Sequence, residues 1–359
     1  MRASSLTIMA TRLEDQARVA AVARSHPPPK VIPSFGYHPW FSHLIYDDAD
    51  GSYAALDAAT LKSHHYTTVL SPPPDAGFIS LLPPPRPLSA LVAELRGNLE
   101  SFPGALVGEI GLDRGFRLPY PADPGAAGAA AGSTPERREV GGLTVHRVAL
   151  EHQKKIFKAQ LGVAGALGRA ASIHGVQCHG VMFDTLREVW AGHELSRERP
   201  KDRKRRRRKA VGGGHEYLPD LAGSDVESEE EEEEENVAPK PFPPRICLHS
   251  FSAPVETLKQ YLAPPTPTRV YPSQLFFSFS STINARPEKG HLSKIGETVC
   301  AVPDDSVLIE SDLHTAGEEM DLALEEALGL ICKLKGWEIE RGARQLDANW
   351  RRFSLGEEA

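Results

Sequence analysis

Seven short, almost unbroken apolar runs recur along this chain: LTIMAT (6–11), KVIPSFGYH (30–38), ALVGEIGLD (105–113), ASIHGVQ (171–177), ICLHSF (246–251), LFFSFSSTI (275–283) and SVLIESDL (306–313). Continuous apolarity, as opposed to strict alternation, belongs to strands buried on both faces, as in a parallel sheet covered by helices. Segments of helical period separate most of the runs. In 151–168 Phe157, Leu161 and Ala164 form one stripe; in 321–336 Leu324, Leu328, Ile331 and Leu334 form another, stopped by Gly336. A third segment, 252–263, begins with Ser252 as N-cap and Pro254 in its first turn. Repeated strand, helix, strand units predict an α/β fold with a parallel sheet, and a TIM-type (β/α)8 barrel accommodates the pattern, with seven of its eight strands recognisable.

Two segments interrupt this rhythm. Residues 117–145 are rich in Gly, Ala and Pro without apolar period and read as a flexible insertion. Residues 193–245 carry the basic block Lys201 to Lys209 and the acidic block Glu227 to Asn236, and blocks of like charge stay solvated and disordered. The expected organisation is therefore a barrel divided into 1–116, 146–192 and 246–359 by the two insertions. Without the insertions about 280 residues remain, close to the ~250 of a single barrel.

Bulk properties exclude several classes. The net charge of −7, from 41 Lys+Arg against 48 Asp+Glu, gives no global attraction to nucleic acid or an anionic membrane, so a polyanionic substrate must be held locally. The four cysteines, Cys178, Cys247, Cys300 and Cys332, are scattered without a CxxC pair, which fits a reducing compartment. No apolar run has the length to cross a bilayer. A cytoplasmic or nuclear protein is expected, with Lys201 to Lys209 as a nuclear targeting signal or a loose phosphate-binding arm and the 193–245 insertion as a place for protein partners.

Chemistry is expected where polar side chains break the apolar runs. Glu109, His174, His249 and Asp312 lie within or toward the ends of four different runs. In a parallel barrel the C-terminal strand ends share one face, where catalytic residues from several strands meet. Two imidazoles and two carboxylates form a mixed N/O set suited to Zn²⁺ or Mn²⁺, whereas Mg²⁺ prefers oxygen. The structural alternatives are a Glu109 ion pair with Arg114 or Arg117, and Asp113 as a shaper of the loop after it. Cys178 reads as a small buried hydrophobe, not a nucleophile.

The motifs FGYHPW (35–40), VGEIGLD (107–113), SIHGVQ (172–177), LHSFSA (248–253), LIESDL (308–313) and NWRRF (349–353), in this order, resemble those of the TatD-like metal-dependent deoxyribonucleases. The likeness is strongest to fungal members with long polar insertions. The resemblance implies a (β/α)8 metal-dependent hydrolase with two divalent ions that cleaves DNA by metal-activated water. It implies that Glu109 bridges the ions, that His174 and His249 bind one, and that Asp312 binds the other and helps activate water, with His38 as a neighbouring or phosphate-contacting group. Glu109 and Asp312 are thus the expected catalytic residues. The family's opening strand carries an H-x-H pair that is absent here, so the first β/α unit is expected to be missing and only one metal position complete. Impaired activity, or a catalytically silent scaffold that binds protein partners, is the alternative.

Overall fold

The computed structural model describes residues 2–26, 30–120, 142–197, 240–280 and 291–357. The two charged blocks, most of the Gly/Ala/Pro-rich segment and the end of the run 275–283 lie outside them. Seven strands form one parallel sheet in sequence order: β1 (Leu6–Met9), β2 (Val31–Phe35), β3 (Leu106–Asp113), β4 (Ala171–Val176), β5 (Arg245–Leu248), β6 (Gln274–Phe279) and β7 (Val307–Ile309). Each expected run supplies one of them. The registers align Leu6 with Val31, Ser34 with Leu106, Ile110 with Ile173, Leu248 with both Ile173 and Phe277, and Phe277 with Val307. The sheet curls into a half-barrel, and among the described residues no further strand pairs with the outer edge of β1 or β7.

Helices cover the sheet between strands: α1 (Leu13–Ser25), α2 (Ala58–Val69), α3 (Ala76–Leu81), α4 (Leu88–Ser101), α5 (Leu150–Ala166), α6 (His179–Trp190), α7 (Val255–Leu262), α8 (His291–Ala301), α9 (Glu318–Lys335) and α10 (Ile339–Ser354). In α5 the stripe Phe157, Leu161, Ala164 is buried as expected. In α9 the buried residues are Met320, Asp321, Ala323, Ala327, Ile331 and Cys332, while Leu324, Leu328 and Leu334 are half-buried. The face is turned because α9 meets both α8 and α10, and its alanines permit close approach. Gly336 stops this helix in the left-handed conformation (φ 66°). The segment 252–263 starts later than its sequence indicates: α7 begins at Val255 with Pro254 in the N-cap position, and Ser252 does not cap it.

Both expected insertions are narrower than their sequence limits. Leu195–Ser196 pairs with Arg269–Val270, and Phe242 is buried. Leu118 is buried too, and Pro119 bridges to Leu143. Apolar side chains at the ends of each segment find partners on the folded body, which composition averaged over the whole segment hides.

The glycines of VGEIGLD have a packing reason. Gly111 sits at φ 147°, and a Cβ there would stand 2.0 Å from the His174 carbonyl oxygen. A Cβ on Gly108 would stand 2.9 Å from Ser34 Oγ. The backbone of β3 thus runs against both neighbouring strands with no room for a side chain. Gly111→Ala should separate β3 from β4 and lower the thermal midpoint by 10 °C or more, by order of magnitude; an unchanged midpoint by calorimetry would contradict this packing.

Between β2 and α2 lies a 3₁₀ turn, Pro39–Leu44, capped by His38, whose Nδ1 accepts from the Trp40 backbone nitrogen at 3.2 Å. Buried His65 and half-buried His152 hold this turn: His65 Nε2 donates to the His43 carbonyl at 2.8 Å and His152 Nε2 to the Ser42 carbonyl at 2.9 Å. Burial pushes the pKa of His65 down to about 4 and that of His43 to about 3, and lowers that of His152. These rings stay neutral in the fold and charge in the unfolded chain at ~6.5. The unfolded state therefore binds more protons, and stability falls as pH drops from about 6.5 toward 4. Thermal melts from pH 7 to 4.5 should show this loss, and His65→Gln should flatten the slope; an equal slope in the variant would contradict the assignment.

Candidate metal centre

Parallel strands bring their C-terminal ends to one side, and the expected site residues gather there. Glu109 comes from within β3 and His174 from within β4, while His38, His249 and Asp312 follow the ends of β2, β5 and β7. Glu109 Oε1 is the shared point: it lies 2.9 Å from His174 Nδ1, 3.3 Å from His38 Nε2 and 3.7 Å from His249 Nε2. His249 Nε2 is in turn 3.4 Å from Asp312 Oδ1. All five residues singled out from sequence converge. Glu109 faces imidazoles rather than Arg114 or Arg117, which answers why a carboxylate interrupts an apolar strand.

Two further carboxylates join them. Glu310 Oε2 lies 2.7 Å from His249 Nδ1 and accepts from Ser278 Oγ at 2.6 Å, while its Oε1 is buried without a hydrogen-bond partner among the described residues. Sequence reasoning passed over Glu310, although it stands two residues before Asp312, the spacing that puts side chains of an extended segment on one side. Asp113 shapes its loop as expected, and it also lies 3.3 Å from His174 Nε2. Asp312 and Ser250 both adopt positive φ, 55° and 46°, and Ser250 Oγ donates to Asp312 Oδ2 at 3.4 Å. Strained backbone of this kind clusters at functional sites.

The electrostatics are those of a cation site. Burial would raise the pKa of Glu109, but the charges of His38 and His249 and hydrogen bonds from His174 and His38 hold it well below the usual carboxylate range. Burial likewise opposes charge on His174, yet hydrogen bonds to Asp113 and Glu109 raise it to about 9. His249 is raised by the charges of Glu310 and Glu109 against the pull of burial. Burial, aided by the charge of His174, lowers His38 to about 4. The carboxylates thus hold protons on nearby imidazoles, and a divalent ion can take the place of those protons.

Two sets offer donor atoms within 4.8 Å of one another: His38, Glu109 and His174, and His249, Glu310 and Asp312. The residues fit divalent ions, with nitrogen and oxygen donors mixed and the Glu310 Oε1 lone pairs unused. His249 turns Nε2 to Asp312 and Nδ1 to Glu310, so one ion bound through this ring meets only one of those carboxylates on its side. Cys178 takes no part: burial pushes its thiol up to about 12, and it donates to the Leu112 carbonyl.

Residues 2–354 match the TatD related DNase family. The chain belongs to this family. It is 36% identical over 349 residues to the Cut9-interacting protein scn1 of Schizosaccharomyces pombe, covering 97% of this chain and 90% of that protein. It is 28% identical over 284 residues to an uncharacterized deoxyribonuclease of Saccharomyces cerevisiae, covering 77% and 64%. Among solved structures it resembles a TatD homolog of Escherichia coli at 15% identity, with a TM-score of 0.48 and coverage of 98% and 86%. TatD proteins are metal-dependent hydrolases, in accord with the donor sets described above. No helix among the described residues is long and apolar enough to cross a membrane, and all four cysteines are free thiols.

Glu109 faces three of the site's histidines, so its loss should matter most. Glu109→Gln should abolish the rise in thermal midpoint that Mn²⁺ or Zn²⁺ gives the wild-type protein, since a ligand stabilises only the state it binds. Equal metal-induced shifts in both proteins would contradict a site centred on this carboxylate.

Proposed function

We propose that this protein is a metal-dependent phosphodiesterase that hydrolyses DNA with water as the nucleophile. The observation that carries this reading is the convergence of His38, His174 and His249 on one Glu109 oxygen, with Asp312 beside His249, at the C-terminal side of the sheet. Divalent ions in such a site polarise the phosphodiester and lower the pKa of bound water. Glu109, His174 and His249 would hold one ion, with His38 Nε2 close enough to Glu109 to serve the same ion or the substrate phosphate. Asp312 would help hold a second ion. Burial would raise the pKa of Asp312, but its hydrogen bond with His249 and that ring's charge lower it, so it is ionised at neutral pH and placed to take a proton from the attacking water. DNA as substrate is supported by the family description and by the printed name of the budding yeast relative. With a net charge of −7 the chain must gather phosphates locally, and exposed Arg114 stands on the rim one residue beyond Asp113.

A second reading is favoured by one observation: the fission yeast relative carries the name of a protein that interacts with another. Here the half-barrel is a scaffold that binds protein partners. Cytoplasmic or nuclear residence and partner binding through 193–245 belong to both readings. The purified protein should cut a DNA oligonucleotide in the presence of Mn²⁺, lose this on chelation, and lose at least about 100-fold in rate as Glu109→Gln or Asp312→Asn. Metal binding without cleavage of DNA would favour the scaffold, and cleavage undiminished in both variants would refute the hydrolytic site.

A further inference from the structure

Asp113 has no part in the hydrolytic scheme, yet its carboxylate is fastened on both oxygens. It is 4% exposed at the end of β3. Oδ1 accepts from the backbone nitrogens of Gly115 at 2.7 Å and Phe116 at 2.8 Å. Oδ2 accepts from Trp40 Nε1 at 2.6 Å and lies 3.3 Å from His174 Nε2. Trp40 is itself held, stacked on Phe116 at 5.3 Å and edge-on to His38 at 4.3 Å between ring centres. The carboxylate is therefore fixed by three hydrogen bonds from two parts of the chain before it meets the histidine.

The consequence lies on the other side of the imidazole. With Nε2 turned to Asp113, the ring presents Nδ1 to Glu109 at 2.9 Å. A neutral imidazole carries one proton and one lone pair, and only the lone pair binds a cation. We propose that Asp113 is a positioning residue that holds the proton of His174 on Nε2, so that Nδ1 is the atom offered to a divalent ion beside Glu109. Trp40 secures this arrangement by fixing the Asp113 oxygen. This role rests on the metal-centre reading above and adds to it which nitrogen binds and what selects it. A carboxylate behind a ligating histidine orients the ring and strengthens it as a ligand.

The isosteric change is informative because an amide has one oxygen. In Asp113→Asn that oxygen is needed by the Gly115 and Phe116 nitrogens, which leaves the NH₂ facing the Trp40 indole N–H, donor against donor. The same NH₂ would donate to His174 Nε2 and move the ring proton to Nδ1, the atom meant for the ion. Trp40→Phe keeps an aromatic ring, though a smaller one, and removes the indole N–H, so it loosens Asp113 while both oxygens of that carboxylate stay in place. Trp40 also lies edge-on to His174 at 5.9 Å between ring centres, a contact the smaller ring reduces.

The test uses Zn²⁺ and the full chain. In Zn²⁺-loaded wild-type protein, ¹⁵N NMR of the histidine rings should show His174 metallated at Nδ1 and protonated at Nε2. Calorimetric titration should show Zn²⁺ bound 10–100-fold more weakly by Asp113→Asn and less severely weakened by Trp40→Phe, with circular dichroism spectra unchanged. Zinc on Nε2 of His174, or wild-type affinity in a folded Asp113→Asn, would overturn the role given to Asp113 while leaving the metal centre standing. If Asp113→Asn fails to fold, the wild-type NMR and the Trp40→Phe affinity still decide. Absence of Zn²⁺ binding to the wild-type protein would instead overturn the metal centre itself.

Discussion

A carboxylate buried in the middle of a strand needs positive charge, and in this protein the imidazoles of His174 and His249 supply it, with neutral His38 beside them. Glu109 is 15% exposed on a strand whose other residues are buried, and its neighbours His38, His174 and His249 come from within or just beyond three other strands. The parallel sheet is what makes that possible, since only strands running the same way deliver side chains from distant sequence to one rim. The glycines beside Glu109 serve the same end: without side chains at 108 and 111, β3 fits closely between β2 and β4, and the carboxylate is held at the depth of His174.

The support extends outward from this point in layers. Glu310 and Asp113 stand behind His249 and His174, each against the nitrogen turned away from Glu109. Behind Asp113 stands Trp40, and behind Trp40 the turn Pro39–Leu44, held by His65 and His152 through its carbonyls. Neutral histidines thus support the wall of a site in which His174 and His249 are drawn toward charge. The same side chain performs opposite electrostatic tasks: burial keeps His38 and His65 neutral, while two or more carboxylates around His174 and His249 outweigh burial.

Much of this was legible in the sequence because burial on both faces leaves an unmistakable trace. All seven strands stood out as continuous apolar runs, and Glu109, His174, His249 and Asp312 stood out as their interruptions. His38 was visible through the resemblance of FGYHPW alone. What composition could not show were contacts set by tertiary packing. The buried face of α9 is turned from its leucines to its alanines because two helices flank it. Glu310 is not marked as a site residue by sequence alone, because a carboxylate two residues before Asp312 gains its role only from contact with His249, which folding supplies. Asp113 was read as a loop former, which it is, but a side chain with two oxygens can serve a loop and a histidine at once.

Family membership and the donor geometry point to the same chemistry from independent sides, one from 353 matched positions and the other from interatomic distances. The most direct test of the central claim is anomalous diffraction from crystals soaked in Mn²⁺. A peak within about 2.3 Å of Glu109 Oε1 and a His174 ring nitrogen would agree with the site described here. Ordered Mn²⁺ found only elsewhere on the protein, or none bound by Glu109 at saturating concentration, would contradict it.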